Sequence, residues 1–317
     1  MGENNLDLME LTKGAENALG GTELAMRRIF DGKIPRGLLE QFQIIPTRVR
    51  DLKEDKYRIL YVHDLPEDPE VQVLVYGGWK RFHRIVFVSN WQAQRFIEKF
   101  AIPWSKTAVL LNAIDPVPVL DRPKDQINIV YHTTPHRGLS ILLPVFDRLS
   151  KIYDNIHLDL YSSFKLYGWA ERDKQFENLF RFADGHPKIT NHGAVPQGEV
   201  RAALGRAHIF AYPSIWCETS CCCLMEAMSA GLVCVHSNLG ALFETAANWT
   251  NMYHVHEESQ EHAKLFHAAL ENAIQTVHED ATKSRCQSQK VYADAFYNWE
   301  IRARQWEAFL SSVAKPQ

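Results

Sequence analysis

An α/β protein with two parallel-sheet domains facing a central cleft, the N-terminal one reduced, is predicted by three features of the sequence. Short apolar runs rich in Val, Ile, Leu and Tyr alternate with helical runs; the Pro-rich stretch 115–123 interrupts that alternation once; and the segment from about 263 to 314 reads as largely helix. Strands covered on both faces read as continuous apolar runs, and parallel sheets are covered in this way. Ligands of open α/β sheets bind at the carboxyl ends of the strands, so polar residues just after those runs are the candidates for function.

Taken in order, the chain first offers Ala18-Leu-Gly-Gly-Thr-Glu23, where Gly20 and Gly21 permit close backbone approach and Thr22 can start a helix. Taken alone, a glycine pair before a helix is usually a plain turn. Residues 57–63 read as a strand ending in His63-Asp64, 84–89 as a second, 91–100 as a helix and 107–111 as a third strand. No strand is evident before the glycine loop. The stretch 115–123 is the linker candidate, since proline bars both helix and a central strand. Beyond it, 127–132, 157–162, 188–191, 208–212 and 232–236 are strand candidates separated by helical runs. There is no internal repeat and no low-complexity segment.

Composition bounds the function without naming it. At 317 residues and 46% hydrophobic, the chain can bury one or two substantial cores. A net charge of −3 gives no reason to expect nucleic acid or an anionic membrane as the main partner. No window approaches the run of apolar residues that a membrane-spanning helix needs. The six cysteines lack the spacing of a disulfide framework, and the Met-Gly-Glu-Asn-Asn start has neither a basic region nor an apolar core. A cytoplasmic setting is the expectation.

The most informative spacing is that of Glu218 and Glu226, in a strand, loop, helix, strand unit running from 208 to 236. Gly231 suits the helix C-terminus. At the helix start, Thr219, Ser220, Cys221 and Cys222 can offer backbone N–H groups to an anion, which the helix dipole also favours. A diphosphate there would place a sugar near Glu218 and a ribose near Glu226, whose carboxylate can accept from paired hydroxyls. Glu218 could instead merely cap the helix and Glu226 be solvated. Against that, Glu226 lies between Leu224 and Ala227-Met228, in a segment too apolar for an ordinary surface helix, and a charge there needs a partner. A second anion candidate is the loop 131–139, where Thr133, Thr134 and Arg137 follow a strand and precede a helix.

Pro213-Ser214, Glu218, Glu226-Ala227-Met228, Gly231 and the strand after it together resemble the donor-site signature of retaining glycosyltransferases with two Rossmann-like domains. This is the GT-B group that includes glycogen synthase and the bacterial phosphatidylinositol mannosyltransferases. Residues 85–91, 109–116 and 297–306 extend the resemblance over nearly the whole chain. The sequence departs from it where Cys221-Cys222-Cys223 replace a Gly/Phe-containing loop and where Ala113 replaces a glycine. The resemblance implies an acceptor-side domain at 1–118, a nucleotide-sugar donor domain at 119–290 and a helix, 291–317, that returns to the first domain. It also implies that the loop with Gly21 and Thr22 faces the donor phosphate or the acceptor, and that Arg137 is one of two basic residues on the diphosphate. Tyr131 stands where the second usually lies, so Lys165 is the replacement candidate. His63 would sit beside the sugar's reactive carbon, for positioning or proton handling, with a pKa near the working range.

What is missing narrows the choice. No Gly-x-Gly-x-x-Gly follows a strand and no Gly-x-x-x-x-Gly-Lys-Ser/Thr occurs, which weakens nicotinamide, flavin and P-loop chemistry. The absence of Asp-x-Asp favours neutralisation of the diphosphate by Arg, Lys and helix dipoles over a divalent ion. Adjacent cysteines on one turn cannot converge on one zinc, and read as small apolar packing residues. The expectation is a metal-independent transferase without a cofactor, moving a sugar from a nucleoside diphosphate, UDP by the family's habit, to a glycan, lipid or protein acceptor with retention. A sugar-nucleotide epimerase or phosphorylase of the same fold, or a non-catalytic sugar-nucleotide or glycan binder, are the alternatives.

Overall fold

The structure, a computed structural model, describes residues 21–314; Gly20 and the residues before it in the glycine loop lie outside that range. The chain forms two wholly parallel sheets. The first has the order β1 (Phe42–Pro46), β2 (Tyr57–Val62), β3 (Arg84–Phe87), β4 (Thr107–Val109). Alternate residues of β2 enter different cores. Ile59 and Tyr61 pack with Met26 and Ile29 and with Trp306 and Leu310, whereas Leu60 and Val62 pack with Leu74, Phe82, Phe96 and Phe100. Burial on both faces is why this strand reads as one apolar run. Strand β1 was not expected from the sequence. It is an edge strand whose last residue, Pro46, lies where a missing N–H is tolerated.

The second sheet has the order β10-β9-β8-β5-β6-β7, with β5 (Ile127–Tyr131), β6 (Ile156–Leu160), β7 (Ile189–Asn191), β8 (Ile209–Tyr212), β9 (Val233–Ser237) and β10 (Asn251–Tyr253). Counted within this half, that is a 3-2-1-4-5-6 order, the doubly wound arrangement in which successive crossovers run outward from the centre in both directions. Its core joins Ile129, Leu142, Phe146, Phe210, Leu224 and Met228.

The stretch 115–123 joins the halves but is held to the second one. Val117 N donates to Ser229 Oγ at 2.8 Å, Leu120 N to Gly205 O at 3.0 Å, and Arg201 to the carbonyls of Asp115 and Pro116 at 2.9 and 2.6 Å. The chain crosses back beside it, where Ile114 N donates to Tyr297 O at 2.7 Å. The helix Trp299–Val313 then packs in the first sheet's core through Trp299, Trp306 and Leu310.

A carboxylate clamps the halves together on the cleft side. Glu244 accepts from Asn90 N and Asn90 Nδ2 at 2.9 and 2.8 Å, and from Trp91 N at 2.9 Å. Those amides open the helix Asn90–Phe100, so one half supplies the anion that the other half's helix N-terminus favours. Glu244→Ala is expected to cost about 1 kcal/mol, the usual value of a lost cap. An unfolding midpoint equal to the parent's would show the clamp to be energetically silent.

Candidate active site

Strands β5 and β8 are neighbours, yet the chain leaves them in opposite directions, and the crevice between their exit loops is where such a sheet receives a ligand. Gly138 lets those loops touch. Its φ is +131°, and a Cβ there would lie 2.2 Å from Pro213 O, so no larger residue fits. Across this contact Arg137 Nη1 lies 2.5 Å from Glu218 Oε1, and the hydroxyl of the fully buried Tyr212 donates to the same oxygen. The backbone of Glu218 is fixed in turn by Ala241 N, which donates to Glu218 O at 2.7 Å. Burial alone would weaken the charge of Arg137, but Glu218 beside it holds the guanidinium firmly protonated.

Glu226 lies on the helix Cys222–Ser229, buried as its apolar neighbours require. Gln197 Nε2 donates to its Oε1 at 2.7 Å, and His132 Nδ1 lies 3.9 Å from its Oε2. Burial pushes this carboxyl up to about 7, against the pull of His132. No side chain caps the helix start at Cys221, so its first amides keep no side-chain acceptor. The cysteines there pack as expected, Cys221 in the second sheet's core with Cys222 and Cys223 against it. The Cys223 thiol also donates to His132 O at 3.2 Å.

The first sheet contributes His63. Its amide donates to Thr47 Oγ1 at 3.0 Å and its carbonyl accepts from Thr219 Oγ1 at 2.8 Å, so the residue bridges the halves. The imidazole packs on Tyr61, ring centres 4.2 Å apart. One expectation is corrected here: burial pulls the His63 pKa down to about 3, so the ring is neutral near pH 7 rather than poised to titrate. Thr47 holds it from a left-handed backbone, φ 54°, a conformation a β-branched residue adopts only under constraint.

Several buried polar atoms around this crevice have no partner among the described residues: His63 Nε2, His132 Nε2, Thr134 Oγ1 and Arg137 Nε. Natural structures rarely leave such atoms unpaired, which makes these loops a candidate polar ligand site. Thr133 is buried beside them, and Ser220 half-buried at the helix start. Phe164 stacks on His136, which sets the segment carrying Lys165 beside the Arg137 loop. Lys165 is exposed after β6, and its ammonium makes no ion pair or hydrogen bond among the described residues. Gly21 and Thr22 open the helix Gly21–Ile29, which packs against Trp299–Val313. Sequence reasoning passed over Tyr212, Gln197, His132 and Thr47. Only His132, a strand-end residue like His63, carried a usable signal.

Residues 113–286, more than half of the chain, match the sequence model of the glycosyl transferases group 1 family. The chain belongs to that family. Among solved structures, this glycosyltransferase resembles one from Rickettsia africae at TM-score 0.66 and 15% identity, covering 95% of this chain and 84% of that one. HepE from Anabaena, solved with UDP-glucose, superimposes at TM-score 0.63 with 16% identity, over 81% of this chain and 72% of that one. A sucrose-phosphate synthase from Thermosynechococcus elongatus gives TM-score 0.59 and 17% identity, over 81% and 68% of the two chains. No curated protein sequence matches the chain significantly. The transferase thus has the GT-B arrangement of two parallel sheets, and none of its helices among the described residues is long and apolar enough to cross a membrane.

Proposed function

We propose that this glycosyltransferase moves a sugar from a UDP-sugar to an acceptor hydroxyl, with retention and without a metal ion. The observation that carries the reading is Arg137 held against Glu218 at the switch point, with unpartnered donors around them. The diphosphate would lie between Arg137 and the uncapped start of the helix Cys222–Ser229, the sugar against Glu218 and the ribose hydroxyls on Glu226. HepE, a neighbour of the same fold, was solved with UDP-glucose, which supports UDP as the carrier. As the sugar–oxygen bond breaks, negative charge gathers on the β-phosphate and Arg137 stabilises it. The acceptor oxygen forms its bond on the face the diphosphate leaves, and its proton passes to the departing phosphate oxygen. His63, neutral and fixed between Thr47 and Thr219, positions the sugar rather than exchanging protons with water. Retention is supported by the sequence resemblance alone.

Glu226→Gln is expected to weaken UDP binding by roughly 1–3 kcal/mol, since an amide accepts less well from two hydroxyls. Glu218→Gln is expected to lower turnover more than UDP affinity. Calorimetry and product assays that find both variants equal to the parent would remove the donor site from these residues. Because the carboxylate of Glu226 is the better acceptor and its folded pKa is about 7, UDP affinity should rise as pH passes upward through that value. The difference between parent and Glu226→Gln isolates this rise from titration of UDP itself. Activity should also survive excess EDTA; loss in chelator with recovery on added Mn²⁺ would refute neutralisation by Arg137 and the helix.

A further inference from the structure

A cavity of about 320 Å³ opens beside the crossover between the halves, among residues that play no part in the donor site. Val109 and Leu111 from the end of the first sheet, Phe296 from the second half's last helix, and Ile301 from the crossing helix supply its apolar wall. Asn90, Ala295, Arg302 and Gln305 complete it. Two of the apolar walls face water, Phe296 at 52% and Ile301 at 37% exposure.

Arg302 is the unusual member. It is only 3% exposed, and no carboxylate pairs with it among the described residues; the ionisable groups acting on it are the hydroxyls of Tyr61 and Tyr297. Its Nη1 donates to Gln305 Oε1, its Nη2 reaches the carbonyls of Phe296 and Asn112 at 3.3 and 3.5 Å, and its Nε has no partner. The Oδ1 of the neighbouring Asn112 is unpartnered as well. The half-buried Arg137, by contrast, has Glu218. An uncompensated buried charge is costly, and a neutral amide oxygen is a weak substitute for an anion.

We propose that this cavity binds a small organic acid, its carboxylate replacing Gln305 on Arg302 and its apolar body lying on Val109, Leu111 and Phe296. The volume falls in the range of small-molecule sites. The charge requirement comes from Arg302, and the apolar requirement from the walls and the open mouth. Because those walls come from both sheets' halves, the occupant bridges them.

The test uses the full chain and fluorine NMR, with 4-(trifluoromethyl)benzoate as the probe and its uncharged amide as the control. Saturable broadening of the acid, at least tenfold weaker for the amide and undisturbed by UDP, is expected. Arg302→Met should abolish the preference for the acid. Since losing a buried arginine can impair folding, Ile301→Trp provides a second variant, filling the mouth from an exposed position with Arg302 intact, and it should abolish binding altogether. No saturable broadening in the parent, equal binding of acid and amide, displacement by UDP, or full binding by Ile301→Trp would each overturn the proposal.

Discussion

Arg137→Ala is expected to lower kcat/KM by about 10²-fold or more, the scale on which one preorganised charge stabiliser acts. The contact should be stronger in the transition state than in the ground state, because charge on the β-phosphate grows as the sugar leaves. The structure adds a second effect. Arg137 is the charge partner of Glu218, itself only 4% exposed, so its removal strands a buried carboxylate and costs about 3–5 kcal/mol of folding stability. Arg137→Lys keeps the charge but loses the planar fork and should recover only part of each. The double variant Arg137→Ala/Glu218→Gln separates them: stability should return toward the parent's while turnover stays low. If the parent and Arg137→Ala prefer UDP over UMP equally, Arg137 does not serve the β-phosphate.

Gly138→Ala should be the most damaging single-methyl change near the site. The methyl would meet Pro213 O at 2.2 Å, backbone against backbone, from a φ of +131° that L-residues rarely adopt. Conformational strain and overlap together should cost about 3 kcal/mol or more, a drop in the unfolding midpoint of roughly 6–12 °C. Activity should suffer beyond what stability explains, because relief of the clash separates the loops that bring Arg137 to Glu218. Gly37→Ala is the control, since nothing lies within 4 Å of its Cβ position and its φ is ordinary. A midpoint for Gly138→Ala matching that of Gly37→Ala would mean that the loop contact is not needed.

How much was legible beforehand follows from what each residue needs. Strands β2, β3, β5, β8 and β9 are mostly buried on both faces and β6 on one, so their apolar runs or alternation announced them to within a residue or two. Strands β1 and β10 escaped, one because Gln43 and Pro46 break its run, the other because Asn251, Met252 and Tyr253 make no apolar run. Glu218, Glu226 and Arg137 stood out because charged groups beside buried strands require a partner. What they pair with did not, since Tyr212 reads as a strand residue and Gln197 as a helix start. The neutrality of His63 was equally hidden, because it depends on how deeply packing between the halves buries the ring. The cysteine run was legible as packing, but the bond from the Cys223 thiol to His132 O was not, since it depends on the turn the chain makes there.

The most direct measurement is a crystal structure of the chain with UDP bound. The account predicts the β-phosphate between Arg137 and the first turn of the helix Cys222–Ser229, with both ribose hydroxyls on Glu226. UDP bound in full without contact to either Arg137 or Glu226 would contradict it.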